Sequence, residues 1–203
     1  LACHTAQAGL WAESKHAHAM AAASPKTVLG DFDNARFNRP GEQTRFLRKG
    51  DHDIVVTADA KGKQQEFPVA YTFGIRPLQQ VLLPLPGGRL QAFTLAWDTQ
   101  RKQWFSLHPD GAVPPGDNLH WTGRYQNWNM MCGECHTTAY RKGYDDEHDS
   151  YATTWAEPRV GCQACHGGGR AHVESARRLG TSKAGDASAR PVPTPNQALY
   201  AHR

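Results

Sequence analysis

Four of the five cysteines fall into two copies of one pattern, Cys-x-x-Cys followed directly by histidine. The copies are Cys132-Gly133-Glu134-Cys135-His136 and Cys162-Gln163-Ala164-Cys165-His166. This pattern is the signature of covalent haem attachment. Each sulfur forms a thioether with one vinyl group on the same haem edge, and the histidine becomes the proximal iron ligand. We predict thioethers at Cys132, Cys135, Cys162 and Cys165, with His136 and His166 as proximal ligands.

The fifth cysteine lies at the start of the sequence, in Leu1-Ala2-Cys3-His4. A cysteine immediately before Leu1 would complete a third motif, with Cys3 as a thioether site and His4 as a proximal ligand. The alternative is a lone Cys-His pair without a role in cofactor binding. We expect three haems c, two of them from complete motifs.

Three other interpretations of the cysteine pairs are weaker. Four thiolates could bind zinc, but 26 residues separate Cys135 from Cys162, against roughly 15–20 in the usual pattern. Zinc also needs no histidine after each second cysteine. A thioredoxin-like site would lie near a βαβ pattern, which neither pair has. A disulfide across Cys-x-x-Cys would be short and strained.

Composition divides the chain into four segments of one integrated haem domain. Residues 1–43 form an N-terminal haem segment with an Ala-rich helix over 5–23, where Leu10, Ala17 and Met20 recur at helical spacing. Residues 44–108 form a β-meander insert. Residues 109–180 form a two-haem segment with short helices near 134–142 and 170–180, and residues 181–203 form a Pro-rich linker or tail.

The β-meander is predicted from short runs of β-branched, aromatic and aliphatic residues separated by turn signals. The predicted strands are Thr44–Arg48, Asp53–Ala58, Glu66–Phe73, Leu78–Leu85, Arg89–Trp97 and Gln103–Leu107. Hydrophobic residues make up 39% of the chain, below the roughly 45–50% of a typical domain. A large apolar cofactor could complete the core. The predicted fold class is therefore α+β: a haem-packed, largely irregular domain with short helices around the motifs and an antiparallel β-meander insert.

Charge and hydropathy exclude two classes of partner. The formal net charge of +4 is small and evenly spread, which does not favour nucleic acid. No run of about 18 apolar residues is present, so we expect no membrane span. Haem attachment through thioethers takes place outside the cytoplasm, so we expect a periplasmic or extracellular protein whose full-length form begins with an export signal.

The sequence resembles the haem domain of TPR-linked multihaem cytochromes, which are related to the four-haem electron carriers of nitrogen-cycling bacteria. The resemblance runs through almost the whole chain and rests on several short stretches taken together. These are Ser14–Met20, Val28–Phe32, Tyr71–Gly74, Pro77–Gln80, Pro86–Ala92, Ala96–Thr99, His120–Gly123, Asn127–Asn129, and Gly161–Cys162 onward to Ala171–Val173. One departure is Gly167-Gly168-Gly169, where the family more often has Gly-Pro-Gly. Members usually extend beyond both ends of this chain.

The resemblance implies electron transfer through haems with two axial histidines. The candidate distal ligands are His16, with His18 as its competitor, His120 and His172. His166 and His172 lie six residues apart, at most about 20 Å when extended. Such a span, with a helix after Gly169, cannot reach around one porphyrin, so we expect His172 to ligate a different haem from His166. If residues 5–16 were helical, spanning about 18 Å, His16 would likewise serve a different haem from His4.

Two other functions stay open at this point. A multihaem redox enzyme could act on a small nitrogen or sulfur compound at a haem with an open axial position. Three haems with three distal histidines leave no haem open, which favours the carrier. A subunit of an electron-conducting filament is the other alternative. The expected partners are redox proteins, with a homo-oligomer or filament as a further option.

Overall fold

The computed structural model describes residues 4–181, with the side chains of 179–181 left aside. Cys3 and residues 182–203, which hold most of the predicted Pro-rich tail, lie outside the described residues. The chain forms two compact units, with the boundary between Val160 and Gly161. The two complete cysteine motifs therefore fall in different units.

The first unit begins with helix α1 (Thr5–Ala12) and continues with two antiparallel sheets. One sheet has four strands in sequence order, which are β2 (Ala35–Arg39), β3 (Glu42–Lys49), β4 (His52–Ala58) and β5 (Gln64–Pro68). The other has six strands, which are β1 (Met20–Ala22), β6 (Tyr71–Phe73), β7 (Leu78–Leu85), β8 (Arg89–Ala92), β9 (Leu95–Asp98) and β10 (Gln103–Ser106). Its order is β1-β6-β7-β9-β10, and β8 also pairs with β7.

Short elements around the first complete motif follow the sheets. They are a 3₁₀ turn (Arg124–Gln126), α2 (Trp128–Met131), α3 (Gly133–His136), and a hairpin of β11 (Tyr144–Asp145) and β12 (Ser150–Tyr151). The second unit carries α4 (Cys162–His166) and α5 (Arg170–Thr181). Within residues 4–181, no helix has the length and apolar character needed to cross a membrane.

Strand β7 is buried on both faces and so contributes to two hydrophobic clusters. Val81 and Leu83 pack in one cluster with Phe46 and Val55 of the four-stranded sheet and with Leu95 of the six-stranded sheet. Leu82 points to the opposite face, as alternation along a strand requires, and joins the cluster that we call the motif-side cluster. Its buried members are Met20, Phe73, Leu82, Ala92 and Trp128. One strand thus supports both the sheet core and the segment that carries the haem motif.

The structure confirms the predicted fold class of short helices with antiparallel sheets. The strands are divided between two sheets rather than forming one meander, and β2 begins at Ala35. The predicted strand at 66–73 is two strands, β5 and β6, in different sheets. The helix expected over 5–23 is wrong beyond Ala12. Ser14 Oγ donates to the Trp11 carbonyl at 2.6 Å, and Met20 pairs with Phe73 as a strand.

Candidate haem site

The first complete motif is folded into helical backbone by α2 and α3. Asn127 caps α2, its side-chain oxygen accepting a hydrogen bond of 2.9 Å from Met130 N–H. The backbone N–H groups of Cys135 and His136 then donate to the Cys132 carbonyl, at 3.1 and 3.2 Å. The two thiols and the imidazole are therefore carried by a single helical turn.

Asn129 fastens this turn to the six-stranded sheet. Its side-chain oxygen accepts from Leu90 N–H at 2.7 Å, and its side-chain nitrogen donates to Thr153 Oγ1 at 2.8 Å. Asn129 is 1% exposed, so these hydrogen bonds satisfy polar atoms that water cannot reach. The motif is thereby held against strand β8.

The two thiols of the motif have different surroundings. Cys132 is half-buried and packs against the motif-side cluster, whereas Cys135 is exposed. Burial raises the pKa of the Cys132 thiol, and the neighbouring Cys135 raises it further. Neither sulfur is in a disulfide. Both are therefore free thiols.

His136 is oriented by a backbone carbonyl and an aromatic ring. Its Nδ1 lies 3.4 Å from the Ala19 carbonyl oxygen, which can only accept, so Nδ1 carries the proton. The Phe73 ring meets the imidazole edge to face, with centroids 5.5 Å apart. A metal-binding histidine commonly donates its second ring N–H to a carbonyl in this way. Nε2 is left as the nitrogen for an iron.

A cavity of about 290 Å³ opens beside this motif and brings His136 together with His16. It is lined by Lys15, His16, Ala19, Gly74, Ile75, Arg76, Cys135, His136 and Val160. Four of these residues, Lys15, His16, Arg76 and Cys135, are exposed, so the cavity is open at the surface. The lining thus provides two imidazoles, one of the two motif thiols and an apolar wall. A haem c with two axial histidines requires two imidazoles for the iron and two thiols for the thioethers.

His16 reaches the cavity on the turn between α1 and β1. Val160 N–H donates to the His16 carbonyl at 3.1 Å, and the Trp11 ring N–H donates to the Val160 carbonyl at 2.8 Å. These hydrogen bonds hold the turn that carries His16. His18 is exposed and is not among the described residues that line the cavity. Of the two competing histidines, His16 is the one placed beside His136.

His120 lies in a different cavity, about 270 Å³ in volume, beside the four-stranded sheet. It is 8% exposed, and burial lowers its pKa, opposed by the carboxylates of Asp117 and Asp59. Its Nδ1 accepts a hydrogen bond from the Thr122 N–H at 3.3 Å and lies 2.8 Å from the Thr122 hydroxyl. The neutral imidazole therefore carries its proton on Nε2, and binding of iron at Nε2 would require the other tautomer. None of the described lining residues belongs to a haem motif. The cysteines that bind a haem ligated by His120 would therefore lie outside this cavity lining.

The remaining predicted ligands lie at helix ends or starts. His4 is the residue before α1, and its carbonyl accepts from Ala8 N–H at 2.9 Å. In the second unit, α4 contains Cys162, Cys165 and His166, with both cysteines exposed. His172 lies in the first turn of α5. The helix predicted after Gly169 is confirmed by α5.

No three His, Cys, Asp or Glu side chains are grouped to hold one metal ion within the part of the chain that the structure describes. Two cavity residues were missed by the sequence-based prediction, Lys15 and Arg76. Lys15 directly precedes the predicted ligand His16, so the sequence could have indicated it. Arg76 has no neighbouring motif that would have indicated it.

Comparison with known proteins finds similarity to cytochromes. Residues 97–167, which contain both complete motifs, match the family described as cytochrome c554 and c-prime. The fold is similar to that of the outer cell wall cytochrome OcwA, with a TM-score of 0.53 and 18% identity over 87% of this chain and 32% of that chain. The chain thus spans about a third of the length of OcwA. No curated protein matches. Together with the two motifs, these similarities support a multihaem c-type cytochrome.

Proposed function

We propose that this multihaem c-type cytochrome carries electrons through three covalently attached haems c, each with two axial histidines. The observation that carries the proposal is the cavity shared by Cys135, His136 and His16. An iron with a histidine on each side has no open position for a substrate, and its low-spin state changes little in geometry on reduction. Such a centre suits a carrier better than an enzyme.

The haem of the first complete motif would be held by thioethers to Cys132 and Cys135, with His136 as proximal and His16 as distal ligand. The bound haem would supply an iron that accepts and releases one electron. The Ala19 carbonyl fixes the His136 ring by accepting from Nδ1–H at 3.4 Å. Ile75 and Val160 provide apolar wall in the cavity, against which the porphyrin would pack.

The other haems would be held by the remaining predicted ligands. Cys162, Cys165 and His166 provide one haem site, and Cys3 with His4 provides another. His120 and His172 are the distal ligands left for these haems. The separation of His166 and His172 by the start of α5 supports their assignment to different haems, because a helical segment of that length cannot encircle a porphyrin.

We further propose a location outside the cytoplasm, periplasmic or extracellular. Covalent attachment of haem to cysteines takes place there, and the chain shares its fold with a protein described as an outer cell wall cytochrome. The partners would be redox proteins that approach exposed haem edges, and further copies of this chain if it forms a homo-oligomer or filament.

The test of the ligand assignment is His16→Ala in the haem-loaded protein. Loss of the distal imidazole should convert one haem from low-spin to high-spin and allow it to bind carbon monoxide. Optical and magnetic spectra before and after reduction measure both changes. The matched control is His18→Ala, two residues along the same turn but outside the cavity lining, and it should leave every haem low-spin.

Two results would overturn this assignment. One is a high-spin haem in the unmodified protein, which would raise the enzyme alternative. The other is a His16→Ala protein in which every haem stays low-spin. If His18→Ala gave the high-spin haem instead, the competitor would be the ligand.

A further inference from the structure

We infer that Lys15 and Arg76 bind the propionates of the haem attached at Cys132 and Cys135. This inference rests on the proposed haem at this motif. Both cations line the cavity that contains His136 and His16, and they come from segments 61 residues apart in the sequence. The cavity thus combines an apolar wall with two positive charges at its exposed part.

Neither cation has another partner that would explain its position. Within residues 4–181, neither Lys15 nor Arg76 forms a salt bridge or a side-chain hydrogen bond. Several cations elsewhere in the first unit are paired. Arg39 pairs with Glu42 at 2.7 Å and Lys49 pairs with Glu66 at 2.6 Å. Two unpaired cations beside one open cavity are suited to an anionic ligand.

The charge distribution of haem matches this arrangement. Haem has an apolar macrocycle and two propionate carboxylates on the edge remote from the vinyl groups. Because the vinyl edge is tied to the cysteines, the carboxylates lie at the other side of the ring and seek water or cations. A guanidinium forms paired hydrogen bonds with a carboxylate, and an ammonium acts as a compact positive charge. Lys15 and Arg76 would each take one propionate.

These cations should also affect the reduction potential. Reduction adds one electron, supplied in a titration by dithionite through mediators, to the iron of a haem in the cavity that both positive charges line. Removing a positive charge disfavours that electron, so the midpoint potential of this haem should fall. A surface charge about 10 Å from the iron should change the ratio of oxidised to reduced haem by about two- to fivefold. Since tenfold corresponds to 59 mV for one electron, fivefold corresponds to about 40 mV.

The experiment is spectroelectrochemical titration of the haem-loaded full chain carrying Lys15→Met or Arg76→Met. Each variant keeps the apolar stem of the side chain. We expect one haem component to shift to lower potential, with the remaining components unchanged, and the double variant to shift it further. Lys15→Arg and Arg76→Lys retain the charge and should restore most of the potential.

Matched controls are Lys63→Met and Arg36→Met, which remove exposed cations of the first unit that do not line the cavity. The inference is overturned if Lys15→Met and Arg76→Met shift no midpoint potential by more than these controls do. It is also overturned if Lys15→Arg and Arg76→Lys lower the potential as much as the methionine variants do. Mass spectrometry of peptides from the unmodified chain shows whether haem is attached at Cys132 and Cys135. If haem is attached there and the potentials do not respond, only this inference fails. If no haem is attached there, the proposed function fails as well.

Discussion

Gly133 occupies the first variable position of the first complete motif, where haem chemistry itself sets no residue type. The structure supplies another reason for glycine. A Cβ at this position would lie 2.5 Å from the Tyr140 ring and 2.9 Å from the Trp128 ring. The Tyr140 hydroxyl donates to the Asn129 carbonyl, so the Tyr140 ring is held in place. The close approach of two rings to the backbone therefore demands glycine.

Gly133→Ala should destabilise the fold by about 1–3 kcal/mol, the usual cost of overpacking a filled site. Denaturant unfolding followed by circular dichroism measures the change. The matched control is Gly9→Ala in α1, where a Cβ meets nothing within 4 Å. Alanine favours a helix over glycine by about 0.5–1 kcal/mol, so this control should be neutral or stabilising. Equal stability of the two variants would show that the rings move away at little cost.

At the scale of elements, strand β7 fastens the segment before β2 to the sheet through Gln79. The Gln79 side-chain oxygen accepts from Leu29 N–H at 2.8 Å. Its nitrogen donates to the Thr27 carbonyl at 2.9 Å and, less closely, to the Gly74 carbonyl at 3.4 Å. Gln79 is 4% exposed, so water cannot replace these partners.

Gln79→Ala should lower the free energy of unfolding by about 1–3 kcal/mol, because the Leu29 N–H and the Thr27 carbonyl lose hydrogen bonds to a buried side chain. The neighbour Gln80 provides the control. It makes one side-chain hydrogen bond, 2.9 Å to the Phe93 carbonyl, and is half-buried. Gln80→Ala should therefore cost less in the same unfolding measurement. A larger loss at position 80 would contradict this account of how the segment is attached.

Local patterns predicted the elements better than their assembly. Strand β7 coincides with its predicted range of 78–85 because a segment rich in Leu and Val that ends at the turn residues Pro86-Gly87-Gly88 is a local signal. The pairing of Met20 with Phe73 is set by a partner 53 residues away, so helical spacing misassigned Met20. The haem motif was likewise recognisable from spacing alone. The contribution of the Ala19 carbonyl was not, because a backbone group has no sequence signature.

The net charge of the whole molecule depends on its haems. A ferric haem with two histidines and ionised propionates carries a charge of about −1. Three haems would bring the formal +4 to about +1, and full reduction would bring it to about −2. Isoelectric focusing of the haem-loaded protein should therefore give a near-neutral point in spite of the basic sequence. A point as basic as that of the haem-free chain would contradict the haem count.

The central claim, that several haems are bound covalently to one chain, is tested most directly by mass spectrometry of the purified protein after denaturation. Acidified organic solvent removes a haem held only by axial ligands but leaves thioethers intact. The account predicts a chain that keeps its colour and whose mass is increased by two or three haems, three if Cys3 belongs to a motif. A colourless chain with the mass of the polypeptide alone would contradict it.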